Sequence, residues 1–250
     1  MRNSALLFLS LSALLTPAVA GCAARGEPAT SMSTTGPSTS PADAARATSS
    51  GGGGVGDFFG GIYDQITGRT PANNLKLIRS RSADARIRGI NGLVARDFGK
   101  QPAYTRVYKA VAENDPDPLV RAVAIRALNR SRDRTAVPLL IRGLSDPNEW
   151  VRLESAKALV RLPDPSAATP LLQVVRRPDE TRDVRIAAVD ALRHYKNLEV
   201  ARTLASLLAE RDFSIVWQSR RSLRDITRKD FRYEEAKWLE YLANPESSLS

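Results

Sequence analysis

Five nine-residue stretches of this chain share one spelling: "ARIRGINGL", "VRAVAIRAL", "VRLESAKAL", "VRIAAVDAL" and "IVWQSRRSL". Each opens on a small or aliphatic residue. Arginine follows at Arg86, Arg121, Arg152 and Arg185, with Val216 in the fifth register. A small residue stands three places on, and a leucine seven places on: Leu93, Leu128, Leu159, Leu192 and Leu223. The spacings between units are 35, 31, 33 and 31 residues. A period of this size marks one supersecondary unit per repeat, too small to bury its own apolar face, so successive units must stack and share a core.

Within the second unit Val120, Ala124, Ala127 and Leu128 fall on a single helical stripe. The alanines in that stripe let a neighbouring helix approach closely. Upstream of each unit lies a second apolar helical stretch: Val107 with Val111, then Val137, Leu140, Ile141 and Leu144, then Leu171, Leu172 and Val175, then Leu204, Leu207 and Leu208. Each repeat therefore reads as a helical hairpin. The turns carry "DPDP" at 115–118, "SDPN" at 145–148 and "LPDP" at 162–165, in which proline restricts the backbone and aspartate caps the following helix.

The D-x-x-V-R-x-x-A-x-x-A-L pattern, closest in "DPLVRAVAIRAL" at 117–128, resembles HEAT repeats of the short bacterial type also found in phycobilisome lyases. The resemblance implies an all-α fold, a right-handed α-solenoid of about five hairpins over residues 71–224. It also implies that Asp and Arg of successive repeats form a ladder of hydrogen bonds between repeats, which gives Arg121 and Asp117 structural roles. The tail "LRDITRKDFRYEEAKWLEYL" resembles an ending seen after HEAT arrays in other bacterial exported proteins, where glycine usually stands at Arg228. Residues 225–250 are expected to close the array, with a helix from about Glu234 to Ala243 laying Trp238, Leu239 and Leu242 over the last repeat.

The first 21 residues have the layout of a secretory signal: Arg2, an apolar run from Ala5 to Leu15, then small residues. That run is too short to span a bilayer, which takes about 20 apolar residues. Ala18-Val19-Ala20 fits an ordinary signal peptidase, and Val19, Ala20, Gly21 and Cys22 resemble the bacterial lipobox, in which the cysteine receives a diacylglycerol. Cys22 is the only cysteine, and an exported protein rarely keeps one exposed thiol, which favours the lipid. Lipoproteins of this class are also acylated with chains such as palmitate. Ala23 after the cysteine implies, by the same resemblance, the outer membrane of a two-membrane bacterium. Residues 22–56 are nearly all Gly, Ser, Thr, Ala and Pro, a disordered leash that cannot bury enough surface to offset its ordering entropy. Residues 57–70 carry Phe59, Ile62, Tyr63 and Ile66 at helical spacing, and read as an N-terminal cap or, alternatively, as an interfacial helix.

Catalytic material is sparse. Gly51, Gly53 and Gly56 satisfy a dinucleotide fingerprint in form, but no strand precedes them. His194 is the single histidine, placed at the end of a repeat helix. With one histidine and one cysteine, no zinc or transition-metal spacing exists, and no cofactor is expected. Asp115 and Asp117 each precede a proline and read as turn and cap residues. Resemblance to bilin lyases implies one enzymatic alternative, but those enzymes are cytoplasmic whereas this chain carries an export signal, and a shared scaffold does not transmit function.

The formal charge is +10, and 30 of the 37 basic residues are arginine. Two groups stand out as candidate contacts for an anionic ligand: Arg126, Arg130, Arg132 and Arg134, and then Arg220, Arg221, Arg224, Arg228 and Lys229. Export argues against nucleic acid and for anionic lipid, polymer or an acidic protein segment. The reading of the whole is a lipid-anchored, non-enzymatic scaffold for an envelope or periplasmic protein partner, with binding of anionic lipid or polymer as its rival.

Overall fold

A computed structural model describes residues 70–244. The signal region, Cys22 and its lipobox, the 22–56 leash and the apolar segment ahead of Thr70 lie outside the described residues.

Proline and short polar residues set where the helices begin. Thr70 caps α1 (Pro71–Ile78) and Ser82 caps α2 (Ala83–Val94), each accepting a backbone N–H three residues on. Pro102 and Pro118 open α3 (Pro102–Asn114) and α4 (Pro118–Ser131), where the missing N–H costs nothing. Asp117 accepts from the N–H groups of Leu119 and Val120 to start α4. The next two hairpins are α5 (Val137–Gly143) with α6 (Glu149–Arg161), and α7 (Ala168–Arg176) with α8 (Arg182–Leu192). The fifth is α9 (Leu198–Ser206) with α10 (Phe213–Thr227), and α11 (Glu235–Ala243) follows. Asn148, Asn197 and Asp212 cap α6, α9 and α10. Short 3-10 turns lead into α3, α5 and α7, and another follows α9. Among the described residues there are eleven α-helices and no strand, and no helix is long and apolar enough to cross a membrane.

The sharing of a core that the period demands is direct. The second helices α2, α4, α6, α8 and α10 pack on one another in sequence, while the first helices pack mainly on their own partners. The second helices are thus the tighter, inner layer of an α-solenoid. All five repeat leucines, Leu93, Leu128, Leu159, Leu192 and Leu223, are fully buried, each contributing about 2 kcal/mol of apolar burial. The small residues three places after the arginines, Ala124, Ser155 and Ala188, and Ser219 three places after Val216, are also fully buried and allow the close helix approach. Val107 and Val111 differ from expectation: they are only partly buried and line an open groove with Leu75 and Ile78 between α1 and α3.

The closing helix buries Trp238 and Leu242 completely, but Leu239 remains 39% exposed because it falls on the outer face. Phe231 meets Trp238 edge-on, 4.9 Å between centroids, and the indole N–H donates to the Arg232 carbonyl at 3.1 Å. Trp238 thus satisfies its one donor while filling the end of the array.

Candidate interaction surface

The recurrent arginines are committed to the fold. Arg86 grips Asp115 through Nε and Nη2, both at 2.8 Å, and donates from Nη1 to the carbonyls of Ser80 and Arg81. Arg121 does the same to Asp146 at 3.2 and 2.9 Å and to the carbonyls of Asp115 and Pro116. Arg152 grips Glu180 at 2.9 and 2.8 Å and the carbonyls of Asp146 and Pro147. Arg185 holds Glu210 through Nη1 and Nη2 and the Val175 carbonyl through Nε. Each rung joins the arginine of one hairpin to an acid in the turn of the next. The ladder runs between successive repeats as expected, with the Arg121 fork on Asp146, while Asp117 takes its structural role as the cap of α4 and stands outside the rungs. Hydrogen bonding to the carboxylates raises the pKa of Arg86 and Arg152 above the ordinary arginine value.

Beside these rungs the starts of the second helices expose large apolar side chains. Leu119 and Trp150 are each the second residue of their helix, two places before the rung arginine, and are 49% and 48% exposed. Asp183 takes that position in α8. In the last hairpin Phe213, the first residue of α10, is 66% exposed, and Trp217 lies one turn on. Phe213 packs on Tyr233 at 6.0 Å, the Arg220 guanidinium lies 4.9 Å over the Tyr233 ring, and Arg221 lies 5.6 Å over Trp217. Exposed Trp, Tyr and Arg in contact are the residues that most often dominate protein interfaces. Sequence reasoning passed over this edge, since helical period marks the buried stripe and says nothing of which exposed position carries a large ring.

The two basic groups do not hold together as units. Arg126 leaves the first by pairing with Glu154 at 2.9 Å. Arg130 is exposed in the last turn of α4. Arg132 and Arg134 lie beyond that helix end and meet Arg161, the last residue of α6, which the sequence did not single out. In the second group Arg220 makes a two-point bond with Asp230 at 3.0 and 2.7 Å, and Arg224 approaches the same carboxylate at 3.4 Å. Arg220 draws the Asp230 pKa down to about 2. Arg228 ends α10 in the left-handed region at φ 58°, and Lys229 beside it is exposed. The glycine that usually stands at that place suits this conformation.

Residues 106–183 match the family model of HEAT repeats. That stretch is a run of HEAT repeats. Rungs of the same form, from Arg86 to Asp115 and from Arg185 to Glu210, extend beyond both ends of it. Among solved structures, the chain is similar to one in the complex of CpcE and CpcF of phycocyanin lyase from Nostoc sp. PCC7120, at 22% identity and a TM-score of 0.57, covering 71% of each chain. It is also similar to an engineered protein at 16% identity and a TM-score of 0.50, covering 69% of this chain and 85% of that one. At these identities the likeness is one of fold. No curated protein matches the sequence.

His194 is exposed just past α8, and partial desolvation with the adjacent Arg193 lowers its pKa below the ordinary histidine value. Asp115 and Asp117 serve the rung and the cap. Among the described residues no group of His, Cys, Asp and Glu is arranged to hold a metal ion.

Proposed function

We propose that this protein is a non-enzymatic HEAT-repeat scaffold, exported and lipid-anchored through Cys22 at the bacterial outer membrane, that presents its rung-side edge to an envelope or periplasmic protein. The observation that carries the reading is the exposed set of Leu119, Trp150, Phe213 and Trp217 in the first turns of second helices, with Tyr233 of the following loop packed on Phe213. The likeness to a chain of the phycocyanin lyase complex supports a scaffold that meets other proteins. Bilin chemistry is not adopted, because the export signal separates this chain from a cytoplasmic chromophore pathway. The test is capture of the tagged, detergent-solubilised protein from its own cells at high salt, comparing the native chain with Trp150→Ser and Phe213→Ser. A partner retained by the native chain and lost by both variants supports the reading. Equal capture by all three overturns it. Intact-mass analysis of the membrane fraction tests the anchor, which fails if the chain begins at Gly21 unmodified.

A second reading, binding of anionic lipid or polymer, draws on one observation: Arg132, Arg134 and Arg161 line a common cleft.

A further inference from the structure

Leu119 and Arg132 stand at opposite ends of α4, about 20 Å apart at 1.5 Å per residue. Trp150 and Arg161 bracket α6 in the same way, and Phe213 and Arg228 bracket α10. The second helices run side by side through the array, so one edge collects apolar side chains and carboxylate-paired arginines, and the other collects helix ends that carry arginine.

On that second edge Arg132, Arg134, Arg161, Leu162 and Pro163 line a cleft of about 740 Å³ between the ends of α4 and α6. All three arginines are exposed. Arg134 donates to the Pro163 carbonyl at 3.3 Å, which fixes its side chain across the gap between repeats. Of the nearby acids, Asp133 is engaged with Lys109 and Thr135, and Asp164 accepts from the hydroxyl and N–H of Ser166 while also feeling the charge of Arg134. Among the described residues no carboxylate pairs with Arg132 or Arg161.

The backbone gives a second, independent observation. Arg132 closes α4 at φ 53° and ψ 36°, with its N–H on the carbonyls of Leu128 and Asn129. That left-handed turn favours glycine or asparagine, and an observed backbone outlier is a fair start for a functional hypothesis. An arginine there sets a guanidinium on the cleft wall at a cost in backbone strain.

We propose that this cleft is a phosphate-binding site, whose occupant is the phosphate of a lipid headgroup or free phosphate. The proposal rests on the second reading above and gives it an address. Planar guanidinium forks match phosphate oxygens in pairs, and three of them supply more positive charge than one carboxylate would use. The helix carbonyls at this edge disfavour an anion, so binding depends on the arginines themselves.

The test uses the full-length chain in a neutral detergent, titrated by calorimetry with inorganic phosphate, with short-chain phosphatidylglycerol and with short-chain phosphatidylcholine. Saturable binding, weakened at least about ten-fold by both Arg132→Gly and Arg161→Gln and left unchanged by Lys76→Gln at an exposed position of α1, is the expected result. Arg132→Gly relaxes the left-handed turn and is expected to raise Tm by about 2–4 °C, so its loss of binding cannot be unfolding. Binding of inorganic phosphate identifies the free ion as sufficient. Binding of phosphatidylglycerol alone identifies the lipid headgroup. Binding that all three variants weaken equally, or that Arg132→Gly and Arg161→Gln leave unchanged, overturns the cleft while sparing the general basic surface. No saturable binding of any probe overturns both.

Discussion

Arg152 and Glu180 belong to different hairpins and are joined at two points, 2.9 and 2.8 Å, with the Glu180 carboxylate only 1% exposed. Glu180 also accepts the N–H of Thr181 and faces Arg177 at 3.6 Å. Removing the arginine strands most of a buried charge. Arg152→Ala is expected to cost about 3 kcal/mol, and the double variant with Glu180→Ala to cost clearly less than the sum of the singles. Denaturant melts of the four proteins of that cycle measure it, and additive losses would show that the rung carries no coupling.

Arg228 offers a change in the other direction. Its φ of 58° at the end of α10 is left-handed, and its N–H already bonds the Arg224 carbonyl. Arg228→Gly is expected to stabilise the chain by about 1 kcal/mol, and Arg228→Val to destabilise it by at least as much. Thermal melts of the two variants should move in opposite directions.

Gly143 and Ser155 form a tight crossing between α5 and α6. A methyl at residue 143 would stand 2.2 Å from Ser155 Oγ and 3.2 Å from its Cβ, and that hydroxyl is buried without a hydrogen-bond partner among the described residues. Ser155→Ala is expected to be neutral or stabilising by up to about 1 kcal/mol. Gly143→Ala alone should cost about 1–3 kcal/mol and noticeably less in the Ser155→Ala background. Equal costs in both backgrounds would deny the contact.

The pair of Arg220 and Asp230 makes the C-terminal loop sensitive to acid. The Asp230 pKa falls to about 2, chiefly through its hydrogen bond to Arg220, from an ordinary carboxylate value near 3.8. A folded pKa below the unfolded one means that the unfolded chain takes up the proton first. The stabilisation is therefore complete above about pH 4 and is lost as pH falls toward 2. The side-chain carboxyl resonance of Asp230 should titrate near 2 in the native chain and shift upward in Arg220→Met. Titration near 4 in the native chain would remove the pair from the account.

Much of the architecture is legible because it is written in residues whose burial is periodic. The repeat leucines and the small residues before them appear as a stripe in the sequence and as the packed inner layer in the fold. The partners in the ladder were harder. Asp117 lies four residues before Arg121, which invites a local pair, yet it caps α4. The acid that matters, Asp115, Asp146, Glu180 or Glu210, stands five or six places before the arginine position of its own hairpin and answers the arginine of the previous one. That spacing was visible, but its meaning depends on how repeats stack. Val216 fits the same logic: among the described residues α11 follows α10 as a single helix, with no hairpin turn to receive an arginine there. The cleft was half legible. Arg132 and Arg134 are neighbours in sequence, but Arg161 joins them only because α4 and α6 end side by side.

The placement of the rungs gives the array a bound margin and a loose one, like the spine and fore-edge of a book. Four two-pronged grips stitch successive hairpins near the starts of the second helices. At their far ends the ties are single, as from Arg134 to the Pro163 carbonyl and from the Asp164 N–H to the Tyr195 hydroxyl. A change of curvature costs least when the pages fan at the loose margin, so the distance between Arg132 and Arg161 is the dimension of this molecule that flexing alters first.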